Sequence, residues 1–447
     1  MTQLVIIGGG PAGIAAALEG ARLGATVTLV ERDHIGGRAN WHSLLPSKVW
    51  LSAADRIGAR DHDARLGLSP AGTEIDYTTL TAHIHQLSQT MAAHDEQALD
   101  AAGVRVIKGA ASFESAHRVH IEQPDGAHTL DADAVIIATG SGPFFLPQIK
   151  PDGKRIIAPR LMGRLTTLPR SMAVIGAGVT GAEFAYLFNR LGLSVTWITD
   201  LPEILPRTDA DIKAPLENTL IARGVAVHKN SPVATLEAGD DGVHITTTQG
   251  EHFDVEMAFI AIGRVAHVEG LNLEAAGLSP DKKGLAVDAF GQTAVHGIYA
   301  AGDVAGAPMT ANKGVAQGII AARHALGAPV NGYRPEIVVE AVYTSPQVAQ
   351  VGLTADNAQG RELAIYRREY RANLKAHLDG APDGLVKVLA DADSGEILGG
   401  AAVGAHAADV LAPIATAIAQ GARLADLQGV FAGYPTLSEL ALDALRR

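Results

Sequence analysis

The stretch QLVIIGGGPAGIAAALEGARLGATVTLVERD, Gln3 to Asp33, decides the fold. A short aliphatic run, QLVII, ends in Gly8-x-Gly10-x-x-Gly13. An alanine-rich helical segment follows, and a second strand pattern, TVTLVE, closes on Glu31. Each part has a physical task. Gly8 permits the tight turn out of the strand, Gly10 leaves room for a pyrophosphate against the backbone, and Gly13 lets helix pack closely on strand. The helix N-terminus offers free N–H groups and the positive end of its dipole to phosphates. Glu31, about twenty residues further on, is placed to accept hydrogen bonds from a ribose diol. Strand, helix, strand and acid in this order predict a Rossmann-like dinucleotide-binding unit.

The unit recurs. SMAVIGAGVTGAEFAYLFNRLGLSVTWITD carries Gly176-x-Gly178-x-x-Gly181, 168 residues after the first motif. At that offset Arg22-Leu23-Gly24 falls on Arg190-Leu191-Gly192, and TVTLVE falls on SVTWIT without a gap. Thr199 takes the place of Glu31, and Asp200 follows one residue later. No Arg or Lys lies between Leu193 and Pro206 to meet a 2′-phosphate, which weakly favours NADH over NADPH. Two sites imply two ligands. One tightly held flavin and one exchangeable nicotinamide is the economical reading, because hydride transfer needs a donor beside an acceptor. Two apolar strands, in Asp131–Pro143 and Asp254–Arg264, end in loops where the chain is expected to change domain. A third, GIYAAGDVAG (Gly297–Gly306), puts Asp303 just past its C-terminal end, where open α/β sheets bind ligands. Asp303 is therefore expected to contact a flavin ribitol, with a helix N-cap as the alternative.

Composition narrows the chemistry. The chain has 447 residues, a formal charge of −12 and no cysteine, which excludes a disulfide scaffold, a thiolate metal site and a cysteine nucleophile. The acidic balance argues against a nucleic-acid or anionic-membrane surface. Forty-nine glycines with 4 % aromatics fit an α/β enzyme of tight turns. The longest apolar stretches, around Met172–Phe188 and Ala407–Ala419, are broken by Glu183 and Asp409, so no membrane span is expected. The N-terminus enters a strand without a basic and apolar leader, and a cytoplasmic location is expected. The histidines show no HExxH or H-x-x-x-H spacing, and no metal site is predicted.

The organisation read from these landmarks is a first dinucleotide domain over residues 1–146 and 265–333, a second over 147–264, and a C-terminal α+β domain over 334–447. That last part alternates strands with helical stretches such as Ala407–Gln420. Its end, GYPTLSELALDALRR, places Thr436 to cap a short helix, with Glu439 three residues later. The polar region Asp55–Thr79 reads as a surface connection between two helices.

These motifs, in this order, resemble the pyridine nucleotide–disulfide oxidoreductases, the family of lipoamide dehydrogenase and glutathione reductase. The likeness rests on GGGPAG with Glu31, IGG…PSK (Ile35–Lys48), ATG (Ala138–Gly140) and GAGVTGAE (Gly176–Glu183). It continues through PEILPRTDADI (Pro202–Ile212), AIGR (Ala261–Arg264), AAGDV (Ala300–Val304), VGLT (Val351–Thr354) and YPTLSE (Tyr434–Glu439). The resemblance implies two Rossmann-like domains, for FAD and NAD(P)H, and a homodimer formed through the C-terminal dimerisation domain. It assigns Gly8, Gly10, Gly13, Glu31, Gly37, Lys48, Thr139, Gly140, Gly263 and Asp303, with Gly176, Gly178, Gly181 and Asp200 of the second motif, to cofactor binding. It also sets Lys48 against the reactive edge of the flavin, paired with Glu183, where a cation stabilises negative charge on reduced flavin. The family's aromatic lid over the nicotinamide falls at Val179.

The departures carry the functional argument. Where the family writes a redox-active C-x-x-x-x-C, this chain reads GGRANWHSLLPSK, with Ala39 and Leu44 in the cysteine positions. Where the family places a catalytic His before Pro-Thr, Tyr434 stands, while Glu439, which would orient that His, remains. A tyrosine with an ordinary pKa of about 10 is no base at neutral pH. His42, in the loop that would hold the disulfide, is a candidate proton donor, with Trp41 and Asn40 beside it. The resulting expectation is a FAD-dependent NAD(P)H oxidoreductase passing electrons from flavin directly to a non-disulfide acceptor, a quinone or similar small molecule. The alternatives are a soluble pyridine nucleotide transhydrogenase, whose branch also carries Tyr before Pro-Thr, and a catalytically idle flavoprotein acting as a sensor or binding partner.

Overall fold

The computed structural model describes residues 1–63, 66, 75–165, 167–358 and 360–446, which divide into two compact units. The first comprises Met1–Ser47, Thr78–Phe144 and Gly263–Arg334; the second comprises Lys48–Tyr77, Phe145–Ile262 and Pro335–Arg447.

In the first unit Gln3–Ile7 is the middle strand of a five-stranded parallel sheet. The spatial order is Ile298–Ala300, Ala134–Ile137, Gln3–Ile7, Thr26–Glu31, Arg105–Lys108. Its central strands are near-continuous Val, Ile and Leu because both faces are covered. Leu4, Ile6 and Leu29 face one core with Ala16 and Ala17 of helix Pro11–Arg22 and Ala321 of helix Ala311–Ala325. Val5, Ile7 and Ile137 face a second core with Phe113 and Ile121 of the antiparallel strands Ala110–Ser115 and Arg118–Gln123.

The second unit repeats this construction. Ser171–Ile175 is central to a parallel sheet ordered Ala226–His228, Ser194–Ile198, Ser171–Ile175, Met257–Ile260, Ile156–Ile157. Helices Pro11–Arg22 and Val179–Arg190 start, run and stop at the same 168-residue offset, twelve residues each. Their N-caps are nearly superimposable in backbone: Gly10 has φ −80°, ψ −178°, and Gly178 has φ −81°, ψ −176°. The unit also contains the C-terminal sheet, antiparallel, in the order Glu340–Val342, Gln347–Gly352, Ile397–Gly404, Leu385–Asp391, Leu363–Glu369. Strand Ile397–Gly404 is buried along its whole length, and Val386, Val388 and Ala402 pack with Ile414, Leu440 and Leu445.

An ion-paired connection is buried in this unit. Lys387 donates to both carboxylate oxygens of Asp209 at 2.6 Å and to Asp211 at 2.9 Å. Asp209 also caps helix Ala210–Ala222 by accepting from the Asp211 N–H.

Three local expectations are corrected. Asp55 to Asp63 are not a surface connection but continue helix Leu44–Asp63, and helix Tyr77–Ala101 begins at Tyr77; much of the stretch between lies outside the described residues. The Ala407–Gln420 stretch is two helices, Ala407–Val410 and Ala412–Gln420, because Pro413 has no N–H to carry a helix through and suits a first turn. The last helix, Glu439–Ala444, starts later than Thr436: the Thr436 hydroxyl donates to the Gly433 carbonyl, and only the reciprocal Glu439 contact forms, accepting from the Thr436 N–H at 2.9 Å. Among the described residues no helix is long and apolar enough to cross a membrane.

Both Rossmann-like repeats depend on one close approach. A Cβ on Gly13 would lie 1.9 Å from the Gly8 carbonyl oxygen, and one on Gly181 would lie 2.1 Å from that of Gly176. Neither backbone can yield without moving helix off strand. Gly13→Ala is therefore expected to destabilise the apoprotein by about 1–3 kcal/mol, measured by urea unfolding; an unchanged midpoint would contradict the packing.

Candidate active site

The first glycine loop leaves its backbone bare at a helix N-terminus. Gly8 has φ +111°, and a Cβ there would meet the Ala138 carbonyl oxygen at 2.4 Å, so neither conformation nor space admits a side chain. Gly10 differs: no protein atom lies within 4 Å of where its Cβ would be. Packing does not require glycine at that position, and a backbone left bare at a helix N-terminus fits a pyrophosphate. Gly37, at φ +56°, backs onto this loop, its missing Cβ 2.9 Å from the Gly10 Cα. The Gly36 N–H donates to the Gly9 carbonyl at 2.8 Å. Glu31 accepts from the Gly9 N–H at 2.6 Å and the Asp33 N–H at 2.7 Å. Its carboxylate thus also clamps the loop, a role the spacing did not reveal.

Thr139 and Gly140 lie beyond strand Ala134–Ile137. The Thr139 hydroxyl donates to the His267 carbonyl at 2.6 Å, and the Gly140 carbonyl accepts from the His267 N–H at 2.9 Å. Gly263, at φ +128°, accepts from the Phe144 N–H at 3.0 Å, where two strands of the unit pass. Asp303 lies in the short turn Gly302–Ala305 after its strand, as expected. Its carboxylate takes a hydrogen bond from Ser141 at 2.7 Å and pairs with Arg264 at 2.5 Å. Burial pulls the Arg264 guanidinium below its ordinary range, and Asp303 opposes that shift. The buried Lys313, also lowered by burial, donates to the Gly306 carbonyl at 2.5 Å and so ties down the same turn.

The second loop has the same design. A Cβ on Gly176 (φ +127°) would lie 2.2 Å from the Ala261 carbonyl oxygen, while Gly178, like Gly10, has no neighbour within 4 Å of where its Cβ would be. Trp197 Nε1 donates to the Gly176 carbonyl at 2.8 Å, which fixes the turn from the next strand. Asp200 is exposed beyond strand Ser194–Ile198; Thr199 is buried, and its hydroxyl accepts from the Leu201 N–H at 3.1 Å.

Lys48 and Glu183, separated by 135 residues, are brought together. Lys48 Nζ is 2.8 Å from each Glu183 carboxylate oxygen, and the Glu183 side chain is almost fully buried. A carboxylate so desolvated is strongly destabilising unless paired and hydrogen-bonded, and Glu183 has both. Seven residues past Lys48 and three past Glu183, a second contact joins the same two helices: the Tyr186 hydroxyl donates to Asp55 at 2.5 Å. Burial raises the Asp55 carboxyl above its ordinary range, opposed by that hydrogen bond and by Arg190, Arg223 and His406. Burial also raises the Tyr186 hydroxyl, reinforced by Asp55. This second contact went unseen in the sequence, although the helical spacing of 48/55 and 183/186 is a usable signal.

The remaining candidates are less enclosed. Ala39 is half-buried in the short helix Gly37–Trp41, and Leu44 is exposed at the start of the next. Trp41 donates to the Ile35 carbonyl at 2.9 Å and packs on His34, and the His42 imidazole lies 4.0 Å from the Asp33 carboxylate. Val179 is exposed, and Tyr434 is 75 % exposed, so Glu439 serves the Thr436 backbone.

The model of the pyridine nucleotide-disulphide oxidoreductase family matches residues 2–318, and that of its dimerisation domain matches residues 338–445. The chain belongs to this family. It is 33 % identical to "Dihydrolipoyl dehydrogenase 2" of Haloarcula marismortui, covering 99 % of this chain and 96 % of that one. It is also 33 % identical to "NAD(P)H dehydrogenase (quinone)" of Mycobacterium tuberculosis, covering 100 % and 94 %. The crystal structure of LpdA from M. tuberculosis superposes with TM-score 0.95 at 33 % identity over 100 % of this chain and 99 % of that one. As a family member the chain is a flavin-dependent pyridine nucleotide oxidoreductase by descent, of a family that binds FAD and NAD(P)H.

The open space at Gly10 gives a test that separates binding from folding. Its φ and ψ suit any residue, so Gly10→Val is expected to leave apoprotein unfolding unchanged and to abolish bound flavin, read as absorbance per chain after desalting. Retention of stoichiometric flavin would contradict the assignment.

Proposed function

We propose that this protein is a FAD-dependent NAD(P)H dehydrogenase that passes electrons from flavin directly to a non-disulfide acceptor, with quinones the favoured class. The carrying observation is the absence of any cysteine from the chain, together with Ala39 and Leu44 in the redox positions, while the Lys48–Glu183 pair is kept. A dithiol cannot form, yet the residues expected to serve the flavin are intact. The M. tuberculosis relative whose name is a quinone dehydrogenase supports this acceptor class.

When bound, FAD supplies the capacity to take hydride from a nicotinamide and release the electrons in a separate step. The residues then divide the work. Gly8, Gly10 and Gly13 seat its pyrophosphate, Glu31 meets a ribose diol, and Asp303 a ribitol hydroxyl. Gly176, Gly178 and Gly181 do the same for NAD(P)H. Lys48, held by Glu183, presents a positive charge to the reactive edge of the flavin. Ala39 and Leu44 are apolar side chains, which suits a flat quinone there. Tyr434 of the second copy in a homodimer offers its hydroxyl to a quinone oxygen as a hydrogen-bond donor, with Glu439 fixing the local backbone. His42 is a second candidate proton donor to the acceptor.

A second reading, transhydrogenation, is favoured by Tyr434 before Pro-Thr; its acceptor is another nicotinamide. Steady-state assays separate them. NADH-driven reduction of a quinone, with negligible transfer to a thio-nicotinamide analogue, is expected. The reverse pattern would overturn the proposal in favour of transhydrogenation, and failure with both would favour an idle flavoprotein. Ala39→Trp is expected to slow flavin reoxidation by quinone at least about tenfold, equivalent to about 1.4 kcal/mol, with reduction by NADH little changed.

The exposed Asp200 carboxylate, with Glu203 nearby paired to Lys213, repels a 2′-phosphate. A several-fold higher kcat/KM for NADH than for NADPH is expected. Equal values would remove the argument, and a clear NADPH preference would point to Arg207.

A further inference from the structure

The Lys48–Glu183 pair has a third member that no sequence spacing disclosed. Tyr343 follows strand Glu340–Val342, and its N–H donates to Glu183 Oε1 at 3.0 Å. Its ring faces Lys48, with Nζ 4.6 Å from the ring centroid. Lysine, carboxylate and tyrosine therefore close a triangle: the ammonium is held by a carboxylate on one side and an aromatic face on another. The backbone of the tyrosine fixes the carboxylate.

The next residue anchors this corner. Thr344 is buried, and its hydroxyl donates to the Pro346 carbonyl at 2.6 Å. Burial, followed by Glu183 and Asp409, holds the Tyr343 hydroxyl above its ordinary range, so the ring is a neutral phenol at neutral pH. Such a ring attracts a cation through its quadrupole, and attracts it most strongly where the cation is partly desolvated. The Lys48 side chain keeps 31 % of its exposure, and a lysine stem that free would otherwise spread over several rotamers.

We propose that Tyr343 is a positioning residue for Lys48, restricting the ammonium to one place from which it biases the flavin's redox equilibrium. This rests on the reading that Lys48 faces the flavin. The phenyl face, not the hydroxyl, is the working part, so Phe should substitute and Leu should not.

Two measurements on full-length protein test it. In the apoprotein, competitive amine labelling read by mass spectrometry reports how tightly Lys48 is held. Tyr343→Leu should raise Lys48 labelling several-fold while Tyr343→Phe stays near wild type; equal labelling in all three overturns the proposal. In the FAD-loaded protein, Lys48→Met should disfavour flavin reduction at least tenfold, about 30 mV for a two-electron couple. Tyr343→Leu should move it the same way by a smaller factor, and Tyr343→Phe should not. If Lys48→Met shifts the potential and Tyr343→Leu does not, Tyr343 is not positioning Lys48 for the flavin, and the inference falls. If Lys48→Met shifts nothing, the reading of Lys48 itself fails, and the inference falls with it whatever the labelling shows.

Discussion

Helix touches strand at Gly13 and again at Gly181, closer than any side chain would permit, and both glycine loops depend on that contact. It aims the N-terminus of helix Pro11–Arg22 at the bare backbone of Gly10, which Gly37 supports from behind and Glu31 clamps through Gly9. In the second unit the same constraint has a further consequence. Helix Val179–Arg190 begins at the nucleotide loop and carries Val179, Glu183, Tyr186 and Arg190 at helical spacing. One element thus carries a bare glycine loop at its N-terminus and presents the middle of its length to Lys48 and Asp55. On the proposed function, a shift of this helix would disturb nucleotide seating and the Lys48 charge together.

What was legible in the sequence follows from the range of the forces involved. The glycine motifs work within a dozen residues, so their spacing is written in the chain, and the repeat doubled the signal. Lys48–Glu183 was readable only through family likeness, since nothing local links residues 135 apart. Tyr343 reaches Glu183 across 160 residues through a backbone N–H, a contact that leaves no mark on side-chain identity. Asp55–Asp63 was misread because a polar helical face resembles a loop when its buried partners, such as Tyr186, lie far off in sequence. At Thr436 the capping pattern was real but half-used, with the hydroxyl drawn to Gly433.

A chain without cysteine keeps the architecture of this family. The fold is that of a family whose relatives include dihydrolipoyl dehydrogenases, while on the proposed function a chain without sulfur in those positions has one place to store electrons, the flavin. Ala39 and Leu44 stand in those positions, and the Lys48–Glu183–Tyr343 triangle is formed.

That claim is tested most directly by anaerobic titration of the FAD-loaded protein with NADH under a visible spectrum. The account predicts that about one equivalent of NADH, two electrons, bleaches the flavin completely, without a long-wavelength charge-transfer band from a thiolate. A charge-transfer band, or uptake of a second equivalent before bleaching is complete, would reveal a further redox group and contradict it.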